Sequence, residues 1–150
     1  MILLAEEGAV TREQLVLLLT NDGFHVVQAA DGREALTYLQ AAVGNAHPMP
    51  ALLITDLNMP NMDGTQLIAE MARTEALAML PIIEMSGTSP ASLHMAGLTA
   101  PRRRGLPAGQ VDSRPGRTGG VVGSFVKPIY GEKAKEFFAL VAQHAHRSAQ

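Results

Sequence analysis

The chain has 150 residues, 47% of them hydrophobic and 4% aromatic, and a formal net charge of -2. That length suits one domain with a buried core, and the near-neutral balance argues against a dedicated polyanion binder. There is no cysteine, which excludes a disulfide framework and thiolate metal sites; no apolar run reaches the length of a membrane span, and the short apolar start lacks the basic residues and cleavage site of a signal peptide, so a cytoplasmic protein is expected.

Met1 to Ala5 is an apolar run closed by Glu6-Glu7 and predicts a buried strand. Thr11 to Thr20 predicts a helix packed through Leu15, Leu18 and Leu19, stopped by Asn21-Asp22-Gly23. His25 to Ala29, β-branched at its centre, predicts a second strand. Asp31 is placed to cap the next helix, with Glu34 three residues on and Ala35, Leu36 and Leu39 as its apolar stripe. Ala42 to Pro50 reads as a loop, Ala51 to Thr55 as a strand ending at Asp56, and the Pro, Asn and Asp of Leu57 to Gly64 as another loop. Thr65 to Ala78 is expected to be one helix, turning Leu67, Ile68, Met71 and Ala72 inward. Pro81 to Met85 predicts a fourth strand, and Pro90 suits the first turn of a short helix. From Ala96 to Gly123 the pattern fails. Residues 97–123 hold three prolines, five arginines and a single acid, Asp112, so no regular structure is expected there. Ser124 to Val126 resumes as a strand before Lys127-Pro128, and Gly131 to Ala145 closes the chain as a helix anchored by Phe137, Phe138 and Val141.

Five strands alternating with helices predict an α/β fold: a five-stranded parallel sheet, doubly wound, with an atypical Arg/Gly/Pro-rich insert (about 97–122) before the last strand. Ligands in such sheets sit beyond the carboxyl ends of the strands. Those ends carry Glu6-Glu7, Asp56, Ser86 and Lys127. Carboxylates brought together repel unless a cation joins them, and a hard, oxygen-preferring ion such as Mg²⁺ fits. A protonated Lys127 pairs with an acid or holds an incoming phosphate, and Ser86 can donate to the same phosphate. Asp56 then suits a nucleophile toward phosphorus, forming an acyl phosphate, with metal and lysine stabilising the transferring charge. Taken singly, a strand-end Asp before Pro and Gly is often a turn former and Lys-Pro a mere boundary. It is their arrival at the ends of successive strands that favours function.

The segments Ile2-Leu3-Leu4-Ala5-Glu6-Glu7, Ala30-Asp31-Gly32-Arg33-Glu34-Ala35-Leu36, Asp56-Leu57-Asn58-Met59-Pro60-Asn61-Met62-Asp63-Gly64 and Phe125-Val126-Lys127-Pro128 resemble the landmarks of bacterial receiver domains of two-component response regulators. The resemblance covers residues 1 to about 96 and about 122 to 147, and the Asp56–Gly64 stretch is its most specific part. It implies a stand-alone, CheY-like flavodoxin-like receiver over residues 1–150, a phosphoprotein that carries an aspartyl phosphate in a phosphorelay. Asp56 would be the phosphoacceptor, taking its phosphoryl group from a histidine kinase or phosphotransfer protein. Glu7 would ligate Mg²⁺ directly, Glu6 largely through water, and the backbone carbonyl of Asn58 would be a further ligand beside Asp56. Ser86 would be the switch hydroxyl and Phe125 the aromatic switch position, while Lys127 would pair with Asp56 and then with its phosphate. Such a domain is no enzyme beyond catalysing its own phosphorylation and dephosphorylation. Its downstream target would be a protein, with no nucleic acid or membrane partner, in a monomer or homodimer.

Two features depart from the family. Glu6-Glu7 stands where at least one Asp is usual, and each extra methylene pushes a carboxylate deeper into a site whose metal tolerates little distortion. The stretch from Ser86 to Lys127 is about twice the usual length. Its surplus reads as a loop tolerated at small entropic cost, as a basic contact segment built on Arg102-Arg103-Arg104, Arg114 and Arg117, or as a rebuilt or swapped element. A Mg²⁺-dependent aspartate phosphatase would need a second Asp where Asn58 stands, because an amide cannot cycle a proton. An EF-hand fails at Asn61 and Leu67. The alternative kept is a degenerate receiver that docks without phosphorylation. With no second domain expected after Gln150, a DNA-binding output is not expected in the chain.

Overall fold

A computed structural model describes residues 1–87, 120–127, 129 and 131–145. Among these residues ten elements follow in order: β1 (Ile2–Ala5), α1 (Ala9–Asn21), β2 (Val26–Ala29), α2 (Gly32–Val43), β3 (Leu52–Asp56), α3 (Gly64–Ala72), α4 (Glu75–Ala78), β4 (Pro81–Ser86), β5 (Gly120–Val126) and α5 (Gly131–Ala145). The strands form one parallel sheet in the order β2-β1-β3-β4-β5. β1, β3 and β4 are buried along their whole length because helices cover both faces.

The alternation of side chains along each strand divides the core in two. Leu3, Leu53 and Ile82 face α2, α3 and α4, with Leu39, Leu67, Met71 and Leu77 opposite them. Ile2, Leu4, Ile54, Ile83 and Met85 face α1 and α5, meeting Leu15, Leu19, Phe137 and Val141. Phe137 is fully buried, edge-on to both Phe125 and Phe138, with ring centroids 5.3 and 5.2 Å away. Phe138 itself is only partly buried.

The structure corrects four expectations. The helix expected over Thr65–Ala78 is two helices, broken where Thr74 takes an extended conformation (φ -108°, ψ 118°). At roughly 100° per residue, Leu77 on a continuous helix would lie roughly 120° from the Leu67-Ile68-Met71 stripe; the break turns it inward, where it is buried. Ala72, the last residue of α3, is exposed, lying roughly 90° round the helix from the middle of that stripe. Leu18 is 47% exposed, because the buried stripe of α1 runs through Leu15 and Leu19 with Val16 partly buried beside them. The last strand starts at Gly120 rather than Ser124, so residues 120–122 of the expected insert belong to the sheet. Gly120 and Val121 pair with Pro81 and Ile82, and Val122 is the extra residue at a register shift, after which Gly123 pairs with Ile83. The helix expected at Pro90 and the remainder of the Arg-rich segment lie outside the described residues.

Candidate functional site

β1, β3, β4 and β5 end side by side, which brings Glu6, Asp56, Ser86 and Lys127 to one rim of the sheet. Lys127 follows directly on β5, its backbone N–H donating to the Ser86 carbonyl at 2.7 Å. From there its ammonium donates to Asp56 Oδ2 at 2.8 Å and to Glu6 Oε2 at 3.0 Å. Both carboxylates are nearly inaccessible, Glu6 at 1% and Asp56 at 3% exposure. Burial opposes the charge on Lys127, but the hydrogen bonds and charges of Asp56 and Glu6 outweigh it and hold its pKa above the ordinary lysine value.

The remaining carboxylate oxygens are held by main-chain donors. Asp56 Oδ1 accepts the N–H of Asn58 at 3.2 Å, and Glu6 Oε1 accepts the N–H of Gly8 at 3.0 Å. Glu7, by contrast, is exposed, as is Asn58. Ser86 is buried, and Phe125 is buried against Phe137 in the α1/α5 half of the core. Of the expected site residues, Glu6, Asp56 and Lys127 are thus in direct contact, Ser86 touches Lys127 through the backbone, and Glu7 stands at the solvent side. Three acids outnumber the two cations at the rim, the Lys127 ammonium and the Arg12 guanidinium that reaches the Glu6 carbonyl, and their oxygens are a donor set that suits a hard divalent cation. Among the described residues no three acidic, cysteine or histidine side chains already gather as a metal cluster.

Several contacts at this rim were not anticipated. Arg12, on the buried stripe of α1, donates from Nη1 to the Glu6 carbonyl at 2.8 Å and from Nε to Gln28 at 3.3 Å. Its spacing of three before Leu15 was the available signal. Glu84, the charge inside β4, accepts from Ser124 Oγ of β5 at 2.9 Å, on the sheet face opposite Phe125. Beyond β3, the loop to α3 closes through Leu57 N–H to the Met85 carbonyl at 2.8 Å and Gly64 N–H to the Leu57 carbonyl at 3.0 Å. Asp63 and Gln66 then cap α3 reciprocally.

A parallel sheet of this order with two acids and a lysine gathered at its carboxyl rim defines a receiver. Residues 2–101 match the family model for the response regulator receiver domain, and the chain belongs to that family, the receiver domains of two-component signal transduction. Among curated relatives, it is 32% identical over 100 residues to the alkaline phosphatase synthesis transcriptional regulatory protein SphR of Synechococcus elongatus, a match covering 65% of this chain and 38% of SphR. The chain spans well under half the length of the curated relatives of this kind that it matches. Among solved structures, it is similar to a response regulator receiver protein from Pseudomonas putida, at 26% identity and TM-score 0.64 over 95% of this chain and 94% of that one. The receiver domain of sensor histidine kinase PA1611 from Pseudomonas aeruginosa, with a magnesium ion in its active site cleft, shares the fold at 19% identity and TM-score 0.67 over 97% and 96% of the two chains. No helix among the described residues is long and apolar enough to cross a membrane.

Proposed function

We propose that Asp56 is the phosphoacceptor, taking its phosphoryl group from a histidine kinase or phosphotransfer protein. The observation that carries this reading is the position of the Lys127 ammonium, 2.8 Å from Asp56 and 3.0 Å from Glu6 at the carboxyl rim. An Asp56 carboxylate oxygen attacks phosphorus, a new O–P bond forms, and the donor's bond to phosphorus breaks with the leaving group keeping its electron pair. Lys127 is already on Asp56 and follows the negative charge onto the phosphoryl oxygens, while the Asn58 N–H keeps the carboxylate oriented. Ser86 is the hydroxyl of the switch and Phe125 its aromatic member. Glu6, Glu7, Asp56 and the Asn58 carbonyl would hold Mg²⁺, in keeping with their all-oxygen chemistry and surplus charge and with the magnesium of the PA1611 domain. When bound, that ion neutralises charge on the transferring group.

The chemistry acts on the chain itself, so its role is a signalling module, with residues 1–150 as one cytoplasmic receiver that hands its state to a protein target. The test is exposure to a small acyl phosphate with Mg²⁺, read by intact mass. The wild-type chain gains one phosphoryl group and Asp56→Asn gains none. Equal labelling of the two would reject Asp56, and an unlabelled wild-type chain would leave a docking module instead.

A further inference from the structure

The turn between β2 and α2 and the loop between β3 and α3 are far apart in sequence but tied together in space. Asp31 uses its two carboxylate oxygens for different tasks. Oδ1 accepts the Glu34 N–H at 2.8 Å and caps α2, with Glu34 reaching back to the Ala30 N–H at 3.3 Å. Oδ2 is not needed for the cap, and it accepts Asn61 Nδ2 at 2.7 Å, from 30 residues away. A second strap lies beside it: the Gly32 N–H donates to the Met62 carbonyl at 3.0 Å. A Cβ at Gly32 would overlap that carbonyl oxygen and lie 3.0 Å from the Met62 carbonyl carbon, so the approach demands glycine. Asn61 itself sits in the left-handed region at φ 65°, which Asn tolerates better than most residues.

These straps act on the tip of the loop whose base starts at Asp56. The loop's Asn58 N–H is the donor on Asp56 Oδ1. Between base and tip the chain tightens once more, with the Met62 N–H on the Pro60 carbonyl at 2.6 Å. The bonds to Glu34 and Asn61 hold the Asp31 pKa below its ordinary value, so the anion that accepts them persists. Asn61 is exposed and Asp31 only partly buried, and a charged contact open to solvent contributes little to global stability. A tie of small stabilising value that spans two loops at the reactive rim is better explained by what it orients.

We infer that Asp31 and Asn61 are positioning residues for the acceptor: they hold the tip of the β3–α3 loop so that the Asn58 amide stays on Asp56 and the carboxylate keeps one orientation. The inference rests on the reading of Asp56 as phosphoacceptor. Neither residue touches the reacting atoms.

The pair permits a swap. Asn61→Asp sets two carboxylates against each other and breaks the tie without introducing the flexibility of glycine. Asp31→Asn combined with Asn61→Asp restores it in reverse, since an amide at position 31 keeps the cap through its oxygen and donates to the new carboxylate. Labelling of the full chain by a small acyl phosphate with Mg²⁺ is followed by intact mass, below the melting transition of every variant. Loss of one such hydrogen bond predicts a labelling rate about threefold to tenfold lower in Asn61→Asp, and the double variant should return to within about twofold of wild type. Exchange of the Asn58 amide, followed by NMR, should speed up in Asn61→Asp and recover in the swap. Wild-type labelling and amide exchange in Asn61→Asp, or a double variant as slow as the single one, would overturn the inference. If the wild-type chain is not labelled at all, the acceptor reading fails, and the amide exchange alone then decides whether the tie orients the loop.

Discussion

Gly64 opens α3 directly behind Asp56, and its missing side chain leaves room for the backbone of the acceptor strand. A Cβ at that position would overlap the carbonyl oxygen of Asp56, and would lie 2.9 Å from Leu57 Cα and 3.1 Å from the Asp56 carbonyl carbon. All three obstacles are main chain, so no rotamer change relieves them. Overpacking of this kind costs about 1–3 kcal/mol, and immovable atoms place Gly64→Ala toward the upper end. The better helix propensity of alanine offsets about 0.5–1 kcal/mol. The net loss is then about 2 kcal/mol, equivalent to a fall in Tm of about 4–8 °C for a chain of this size. Gly44→Ala is the control within the same molecule, because a Cβ there meets only Ala41 and Gln40 carbonyl oxygens at 3.6 and 3.7 Å. With φ -80° it should be neutral or stabilise by up to about 1 kcal/mol. Urea unfolding of both variants gives the comparison, with the midpoint falling for Gly64→Ala at unchanged slope. The Asp56 labelling rate should fall with it, since the Asp56 peptide is what must move. Two variants of equal stability would refute the argument that α3 is seated on the acceptor backbone.

Two further predictions concern charge. Lys127→Met removes the cation between Glu6 and Asp56; its side chain is 22% exposed, so the loss should be below that for a fully buried pair, about 1–3 kcal/mol. Adding Asp56→Asn should restore part of it, with a coupling of about 0.5–3 kcal/mol in a double-mutant cycle read by chemical denaturation, whereas additive losses would show that the contact is energetically silent. For Asp31, whose folded pKa is lowered mainly by the Glu34 and Asn61 bonds, the ionised form favours the folded state. Any advantage of wild type over Asp31→Asn from this source is fully present above the unfolded pKa of about 3.9 and is lost as pH falls through the lowered value. Urea melts at a series of pH values from neutral to acidic should show the gap narrowing, and a constant gap would mean that the carboxylate charge contributes nothing.

What the sequence made legible was whatever depended on a local signal. The apolar runs at Ile2–Ala5 and Leu52–Asp56 have only one way to be buried in a sheet, and their carboxyl ends follow once the strands are parallel. The cap at Asp31 was readable from Glu34 three residues on. Contacts that depend on how two elements meet were hidden. Nothing local in Thr65–Ala78 marks Thr74 as the break, because the reason is the distance of Leu77 from the core stripe. The partnership of Glu84 with Ser124 depends on the register of β4 against β5, which no periodicity contains. Nor did the composition of the Arg/Gly-rich stretch reveal that its last residues pair with Pro81 and Ile82, since glycine is a poor strand former taken alone. The difference between Glu6 and Glu7 was equally invisible: adjacent residues of one type, one enclosed with Lys127 and one turned to solvent.

Lys127 is joined to Asp56 across a sequence separation of 71 and to Glu6 across 121. A ribosome makes about 5–20 residues per second, so Asp56 exists for about 4–14 s before its lysine has been polymerised. Throughout that interval the nascent chain carries the rim acids without their counterion, and once Pro81–Ser86 has been made it carries β4 without the neighbour that covers its outer edge. An open strand edge of Ile82, Ile83 and Met85 is a template for unwanted pairing. The β5–Lys127 segment therefore closes two exposures at once, one hydrogen-bonding and one electrostatic. Synthesis rate and chaperone supply should influence the yield of this chain more than the melting point of the finished protein suggests.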